Sequence, residues 1–296
     1  MTRLAYVNGQ FCPHDYAVTH IEDRGYQFSD AVYEVIPILD GRLVDLDGHF
    51  KRFWRSLNEL EIAPPMSQKA LTLLTFDLVR RNAVYNGNIY MQISRGIAPR
   101  KHIFPEKSVR PVLVMVTNQI DHKLDGGIAP PVKVKTVPDI RWQRRDIKTV
   151  SLLANCLANE QADRVGAYEA WQIDEKGYIT EGSHSNAWIV NKNKCVISRN
   201  ATHHILNGIT RLSLLNVIEK IGFSVEDRAF TLDEAYNAEE AFATSSGAFV
   251  KPVCQIDDIV LNDGKIGTIT HELFNHYRDY CKSDSHPSAF TPLNGH

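Results

Sequence analysis

The sequence predicts an α/β fold made of two α+β domains. Three observations lead to this prediction. A chain of 296 residues is long for one hydrophobic core and comfortable for two. Strand and helix patterns recur in both halves, and a stretch rich in Gly, Pro and charge separates them. The predicted domains are residues 1–120 and 132–283, with 121–131 as linker and 284–296 as a tail without periodicity that we expect to be mobile.

The first domain is predicted to combine strands with two helices. Residues 4–7 and 32–39 have strand character, and each run ends at Asn-Gly or Asp-Gly, which are typical of hairpin turns. A helix is predicted from Asp47, because apolar residues such as Phe50 and Phe53 recur on one face. The remaining predicted elements are a helix over 68–82 and strands over 89–94 and 112–117.

The second domain is predicted to alternate strands with helices. A helix over 151–165 is indicated by Leu152, Leu153 and Cys156. The other predicted helices cover 210–221, 230–236 and 269–281, and the predicted strands cover 132–137, 169–173, 187–190 and 195–198.

Composition excludes several classes of function. The formal net charge is only -2, with 33 basic and 35 acidic residues interspersed, which argues against a nucleic-acid partner. The N-terminus lacks a signal-like apolar run and no stretch approaches membrane-spanning length, so we expect a cytoplasmic protein without a membrane partner. The 5 cysteines lie far apart, and the 12 histidines show no ligand spacing, so we predict neither disulfides nor a metal site.

Three features together suggest a cofactor. Lys148 offers an amine, Glu181 a carboxylate, and Gly208-Ile209-Thr210 the start of a helix with Thr210 as its N-cap. Taken alone, Lys148 would be one more surface lysine and Glu181 a loop carboxylate. In combination, an amine for an aldehyde, an acid for a pyridine nitrogen and a helix N-terminus for a phosphate are the parts that hold pyridoxal phosphate.

These features and the stretches around them closely resemble the fold-type IV pyridoxal-phosphate transaminases, and within that family the D-amino-acid aminotransferases. The resemblance extends from about residue 5 to about residue 283, in the family's order. The segments that carry it are 22–28, 32–35, 95–102, 139–142, 146–148, 180–183 and 208–211.

The resemblance implies a catalytic role for Lys148, which would form a Schiff base with the cofactor. Once displaced by an amino acid, its amine would move a proton between the substrate α-carbon and the former aldehyde carbon. Glu181 would face the pyridine nitrogen and keep it charged. The other implied cofactor-binding residues are Arg52, Leu206, Ile209, Thr210, Ser245 and Ser246.

The resemblance also implies the residues that bind substrate. Tyr33, Arg100 and His102 would bind the α-carboxylate, with Arg100 and His102 reaching in from the partner subunit of a homodimer. Val35 and His184 complete the implied substrate set.

Three departures from the family pattern bear on the pocket. His184 replaces a small serine, Asn207 replaces a lysine, and residues 247–249 replace a more polar stretch. His184 and Phe249 would narrow or reshape the pocket, so these departures affect the choice of substrate more than the type of reaction.

The expected reaction is amino transfer between D-amino acids and 2-oxo acids, D-alanine with pyruvate and D-glutamate with 2-oxoglutarate, at a site between the domains and at a dimer interface. Within the family the alternatives are a branched-chain L-amino-acid aminotransferase, an (R)-amine transaminase and aminodeoxychorismate lyase. The loop with Arg100 and His102 favours the D-amino-acid enzyme over the first. A protein that carries the cofactor without catalysis is the alternative outside enzymes, and an intact set of Lys148, Glu181 and Arg100 argues against it.

Overall fold

The computed structural model describes residues 3–122, 124–283 and 285–290. Its strands are β1 (Leu4–Val7), β2 (Gln10–Pro13), β3 (Ala31–Leu39), β4 (Arg42–Leu43), β5 (Gly87–Ser94), β6 (Val112–Gln119), β7 (Val132–Pro138), β8 (Glu169–Ile173), β9 (Ile179–Gly182), β10 (Asn186–Val190), β11 (Val196–Ser198), β12 (Val225–Asp227), β13 (Glu240–Ser245), β14 (Phe249–Ile256) and β15 (Ile259–Val260). Its α-helices are α1 (Arg24–Phe28), α2 (Leu46–Glu59), α3 (Gln68–Arg81), α4 (Leu153–Asp163), α5 (Ile209–Ile221), α6 (Leu232–Tyr236) and α7 (Thr268–Cys281).

This mixture of sheets and helices confirms the predicted α/β class. Internal contacts divide the described residues into two compact units. The first unit is drawn from Met1–His122, Ile147–Ser151 and Lys282–His296, and the second from Lys123–Asp146 and Leu152–Cys281.

The first unit is an antiparallel sheet with helices packed against it. The strand order is β2-β1-β6-β5-β3-β4. Helix α2 buries Phe50, Phe53 and Leu57 completely or nearly so, as its apolar spacing predicts, and it packs on β3. Helix α3 packs on β1 and β6. The pleat of β3 leaves Tyr33 and Val35 half-buried on one face and turns Glu34 towards α2.

The second unit is a mixed sheet in the order β12-β11-β10-β13-β14-β7-β8-β9, with β15 paired to β14. Strand β7 runs parallel to both β14 and β8, whereas β13 is antiparallel to both β10 and β14. Helix α4 packs on β7 and β8, and α7 packs on β13 and β14. Fully buried Trp171 and Phe230 belong to the core of this unit.

The division of the chain differs in two places from the predicted domains. Residues 147–151 group with the first unit, although the sequence placed them in the second domain. Residues 285–290, expected to be mobile, pack against the first unit: Ala289 N donates to Gly41 O at 2.8 Å, and the Phe290 ring stacks on Tyr85 at 4.2 Å. The remainder of the predicted tail, residues 284 and 291–296, lies outside the described residues.

The sequence did not predict several strands, and β9, β13 and β14 matter most because they position polar residues discussed below. Glu181, which the sequence placed in a loop, lies in β9. None of the helices in the described ranges is both long and apolar enough to cross a membrane.

Candidate active site

Lys148 lies on a short extended segment that runs beside β3. Its carbonyl accepts a hydrogen bond from Tyr33 N at 3.0 Å, and Val150 N donates to Ala31 O at 3.2 Å. One residue before it, Ile147 is buried in the core of the first unit. The main chain from Lys148 to Val150 is therefore paired with the strand that carries Tyr33.

The amine of Lys148 lies against Tyr33. Nζ donates to the Tyr33 hydroxyl at 3.3 Å and is 4.4 Å from the centroid of its ring. Tyr33 in turn stacks on Tyr90, with ring centroids 5.6 Å apart. Val35 lies on the same face of β3 as Tyr33. The structure thus brings Lys148 together with Tyr33, and places Val35 one alternation further along the strand.

Arg52 is buried in an ion pair that the sequence did not predict. Its Nε and Nη2 donate to the two carboxylate oxygens of Glu34 at 2.6 and 2.7 Å, and His49 Nδ1 lies 2.8 Å from Glu34 Oε2. Burial alone would raise the pKa of Glu34, but the charge and hydrogen bonds of Arg52, with those of His49, lower it to about 2. Arg52 is therefore held in place by a carboxylate on β3, rather than being a solvated arginine.

Arg100 and His102 lie in an exposed loop. We call residues 99–104 the Arg100 loop. The Arg100 Cζ is 5.1 Å from the centroid of the Phe28 ring, and the His102 ring meets the same ring edge-on at 5.6 Å. Within the ranges that the structure describes, no hydrogen bond or ion pair engages the Arg100 guanidinium, which leaves its fork available to a ligand.

In the second unit, Glu181 is a buried carboxylate. It accepts hydrogen bonds from Arg141 Nη1, from Asn186 Nδ2 at 3.1 Å and from Leu206 N at 3.1 and 3.2 Å. Burial raises the pKa of Glu181, and Arg141 opposes that effect by favouring the charged form. Arg141 is itself held by Asp139 through Nε at 2.9 Å and Nη2 at 2.7 Å.

The sequence assigned no role to Arg141. The one signal for it was that residues 139–142 belong to the resembling segments. Asp139, which holds Arg141, is only two residues away, but Glu181 is 40 residues away along the chain.

The start of helix α5 lies close to Glu181. Gly208 is its N-cap, in an extended conformation, so Thr210 lies in the first turn and the prediction of Thr210 as N-cap is wrong. Ile209 and Thr210 are buried, and the N-cap glycine makes no side-chain capping bond to this end of the helix. Asn186 Nδ2, which bonds Glu181, also donates to Leu206 O at 2.9 Å, so one amide connects the carboxylate to the turn before the helix.

Ser245 and Ser246 lie where β13 ends, next to these groups. Asn186 on β10 pairs with Thr244 on β13, so Ser245 is one residue from the position opposite Asn186. Ser245 Oγ accepts a hydrogen bond from Ala248 N at 3.1 Å, which closes the turn into β14.

His184 is held by a second buried carboxylate, Glu169. The His184 Nδ1 lies 3.4 Å from Glu169 Oε2 and 3.3 Å from Ser183 Oγ. Glu169 also accepts from Ser185 Oγ at 2.5 Å, and burial raises its pKa. The His184 side chain remains 44% exposed, so Glu169 orients the ring while part of it stays accessible to a ligand.

The groups in the second unit fit pyridoxal phosphate. A buried carboxylate suits a protonated pyridine nitrogen, and the start of α5, whose N-cap is a glycine, offers the N–H groups of its first turn to a phosphate. A Cβ added at Gly208 would collide with Asn186 Oδ1, so a side chain at this position requires the Asn186 amide to shift. The predicted cofactor residues of this unit, Glu181, Leu206, Ile209, Thr210, Ser245 and Ser246, are thus brought together, while Lys148 and Arg52 belong to the first unit.

Comparison with known proteins agrees with this chemistry. The family described as Amino-transferase class IV matches residues 31–256. The chain is 38% identical over 281 residues to a D-alanine aminotransferase of Staphylococcus aureus, covering 95% of this chain and 98% of the relative. It is also 38% identical over 263 residues to a D-alanine aminotransferase of Bacillus licheniformis, covering 89% and 92%.

Solved structures show the same fold. A branched-chain amino acid aminotransferase of Thermobaculum terrenum in its PLP-form superposes with a TM-score of 0.82 at 22% identity, covering 95% of this chain and 95% of the other. The Escherichia coli branched-chain amino acid aminotransferase superposes with a TM-score of 0.86 at 18% identity, covering 98% and 100%.

Proposed function

The chain belongs to the class IV aminotransferase family, and from this premise we propose that it transfers amino groups between D-amino acids and 2-oxo acids with pyridoxal 5'-phosphate as cofactor. D-Alanine with pyruvate and D-glutamate with 2-oxoglutarate are the proposed pairs. The observation that carries the choice of D-amino acids is the 38% identity to D-alanine aminotransferases over nearly the full length of both chains. The branched-chain enzymes share the fold at lower identity.

We assign the cofactor to the residues that the resemblance implies. Glu181 holds the pyridine nitrogen, and the amides of Ile209 and Thr210 receive the phosphate. When bound, pyridoxal phosphate supplies an electron sink for negative charge on the substrate α-carbon. The further phosphate ligands that we propose are Arg52, Ser245 and Ser246, with Leu206 lining the ring site.

Lys148 carries the chemistry of the protein itself. Its amine is the group that would hold the cofactor, through the aldehyde carbon. As base and then as acid, the same amine would move a proton from the substrate α-carbon to the former aldehyde carbon, on the other side of the nitrogen. The hydrogen bond from Nζ to the Tyr33 hydroxyl keeps the amine on the face of β3 where Val35 also lies.

The substrate α-carboxylate is recognised by Tyr33, Arg100 and His102. The guanidinium of Arg100 can form two parallel hydrogen bonds with a carboxylate and none of that kind with an amine. His184, oriented by Glu169, contacts the remainder of the substrate in this proposal.

We further propose a homodimer in which Arg100 and His102 act in the site of the neighbouring subunit. Large apolar side chains of the first unit are exposed to an extent that favours a partner: Tyr16, Val18, Ile21 and Ile103 are each 76% exposed and Tyr26 is 79% exposed. Self-association would cover such a surface.

The test is a pair of reactions with 2-oxoglutarate as acceptor. The purified protein with pyridoxal phosphate is incubated with D-alanine or with L-leucine, and the 2-oxo acid formed is identified. We expect pyruvate from D-alanine and little product from L-leucine. Product from L-leucine alone would replace the proposal by a branched-chain aminotransferase, the activity for which the structural neighbours are named. No product from either would reject amino transfer between these substrates.

A further inference from the structure

The geometry points to Arg24 as a positioning residue for carboxylate recognition: it fixes the Arg100 loop so that Arg100 and His102 face the substrate. This inference deepens the proposed function and rests on Arg100 as the reader of the carboxylate. Arg24 is only 3% exposed, so it acts through its neighbours rather than by touching substrate.

Arg24 joins the Arg100 loop to the body of the first unit. Its Nη1 donates to the carbonyl of Lys101 at 2.7 Å, and Lys101 is the residue between Arg100 and His102. Its Nε donates to Asp30 Oδ2 at 2.8 Å. A buried, charge-assisted fork of this kind holds the loop backbone in one position.

The guanidinium of Arg24 also packs on the Phe28 ring, which Arg100 and His102 both contact. Arg24 Cζ is 4.7 Å from the centroid of the Phe28 ring. Arg100 and His102 contact that ring from their own side chains. Arg24 therefore positions Arg100 and His102 through two contacts, the hydrogen bond to the Lys101 carbonyl and the packing on Phe28.

The carboxylate of Asp30 offsets the positive charge of Arg24, which lies close to the positive charge of Arg100. Its carboxylate pairs with Arg24, whereas Arg100 has no acidic partner in the part of the chain that the structure describes. The charge of Arg24 is thus offset within the protein, and the charge of Arg100 remains for a ligand.

The far end of the loop is fixed by the same carboxylate. Arg95 Nε donates to Asp30 Oδ2 at 2.7 Å, and its Cζ lies 3.6 Å from the centroid of the Phe104 ring. Arg95 also donates to the carbonyls of Leu60 and Glu61 at 2.6 and 2.9 Å. One oxygen of Asp30 thus connects the two arginines that hold the middle and the end of the loop.

The test compares Arg24→Met with Arg81→Met as matched control. Arg81 also pairs with a carboxylate, Asp77 at 2.8 Å, and lies over an aromatic ring, Phe11 at 4.4 Å, and neither of these partners belongs to the Arg100 loop. Steady-state rates with 2-oxoglutarate are measured against the concentration of D-alanine and of D-alaninamide, in which a neutral amide replaces the carboxylate.

For Arg24→Met we expect the KM for D-alanine to rise about tenfold with kcat within about twofold, because small displacements of a binding group are costly. The KM for D-alaninamide should not change, and Arg81→Met should match the parent for both substrates. Equal changes for the two substrates, or no change in the KM for D-alanine, would overturn the inference. If Arg24→Met does not fold, Arg24→Lys keeps the charge beside Asp30 but loses the planar fork, and the same selective rise is expected.

A double-mutant cycle with Arg100→Ala separates this inference from its premise. In the Arg100→Ala background, Arg24→Met should add little to the KM for D-alanine, since the group that it positions is gone. Fully additive effects would show that Arg24 acts independently and would overturn the inference. If Arg100→Ala itself weakens D-alanine and D-alaninamide alike, the premise fails whatever Arg24 does.

Discussion

At the residue scale, Lys148 and Lys251 share one kind of contact: the amine of each lysine lies over a tyrosine ring. The Nζ to centroid distances are 4.4 Å to Tyr33 and 5.3 Å to Tyr168. Burial lowers the pKa of Lys251, which favours the neutral amine that attacks an aldehyde. A contact with an aromatic ring therefore does not by itself identify the lysine that binds the cofactor. Covalent labelling of the lysine can identify it.

We expect the protein with pyridoxal phosphate to be yellow, to lose its visible absorption band on treatment with borohydride, and to carry the reduced cofactor on Lys148 in peptide mass spectra. Lys251→Ala should keep both the colour and the site of labelling, and Lys148→Ala should lose them. A label on Lys251, or a colourless protein in excess cofactor, would contradict the assignment.

Glu34 gives a second prediction at this scale, on stability. Its pKa is about 2 in the folded protein against an ordinary value of 4.5, because Arg52 and His49 outweigh the effect of burial. Glu34 binds its proton more readily in the unfolded chain, so this stabilisation is complete above about pH 4.5 and is lost as the pH falls towards 2. At about 1.4 kcal/mol per pKa unit, the shift is worth on the order of 3 kcal/mol.

Urea unfolding from about pH 5 to about pH 2.5 measures this contribution. The parent should lose free energy of unfolding more steeply than Glu34→Gln, which cannot titrate. Asp77→Asn removes a carboxylate from an exposed pair with Arg81, and should cost less than about 1 kcal/mol at neutral pH. Parallel curves for the parent and Glu34→Gln would refute the link between Glu34 and acid stability.

At the element scale, amphipathic helices could be predicted from sequence and the interior of the second sheet could not. The predicted helix 68–82 nearly coincides with α3, because its cap and apolar face are local signals. Strand β13, Glu-Ala-Phe-Ala-Thr-Ser, has no strong alternation, and its place between β10 and β14 depends on partners far along the chain. The ion pair of Arg52 with Glu34 was missed for the same reason, since no local pattern joins a helix to a strand 18 residues away.

The start of α5 provides a prediction at this scale. Gly208→Ala would push a methyl group against Asn186 Oδ1 and disturb the amide that bonds Glu181 and Leu206. We expect the dissociation constant for pyridoxal phosphate to rise at least about tenfold, as measured by equilibrium dialysis.

Gly222→Ala is the control, at the other end of the same helix. Gly222 has φ +79 with open space around it, so alanine should cost about 1 kcal/mol of stability through backbone strain. Its affinity for the cofactor should equal that of the parent. Equal affinity in Gly208→Ala would show that this helix start does not receive the phosphate.

At the scale of the whole molecule, the proposed homodimer makes each site depend on two chains. As homodimers, Lys148→Ala should be inactive with D-alanine, and Arg100→Ala should keep about one hundredth or less of the parental kcat/KM. In a mixed dimer, one site combines a native lysine with the native arginine of the neighbour, and the other site has neither. We expect purified mixed dimers to recover about half of the parental activity. No recovery in verified mixed dimers would contradict the exchange of Arg100 between subunits.

The backbone hydrogen bonds around Lys148 have a consequence for the speed of the reaction. Tyr33 N and Ala31 O hold the main chain at residues 148 and 150, which opposes its movement when a substrate displaces the amine. We expect Nζ to move mainly by rotation about the single bonds of the side chain, which takes place in picoseconds to nanoseconds for accessible side chains. Main-chain rearrangements are orders of magnitude slower. The rate of proton transfer by Lys148 should therefore be limited by the chemical step and not by movement of the main-chain segment that carries it.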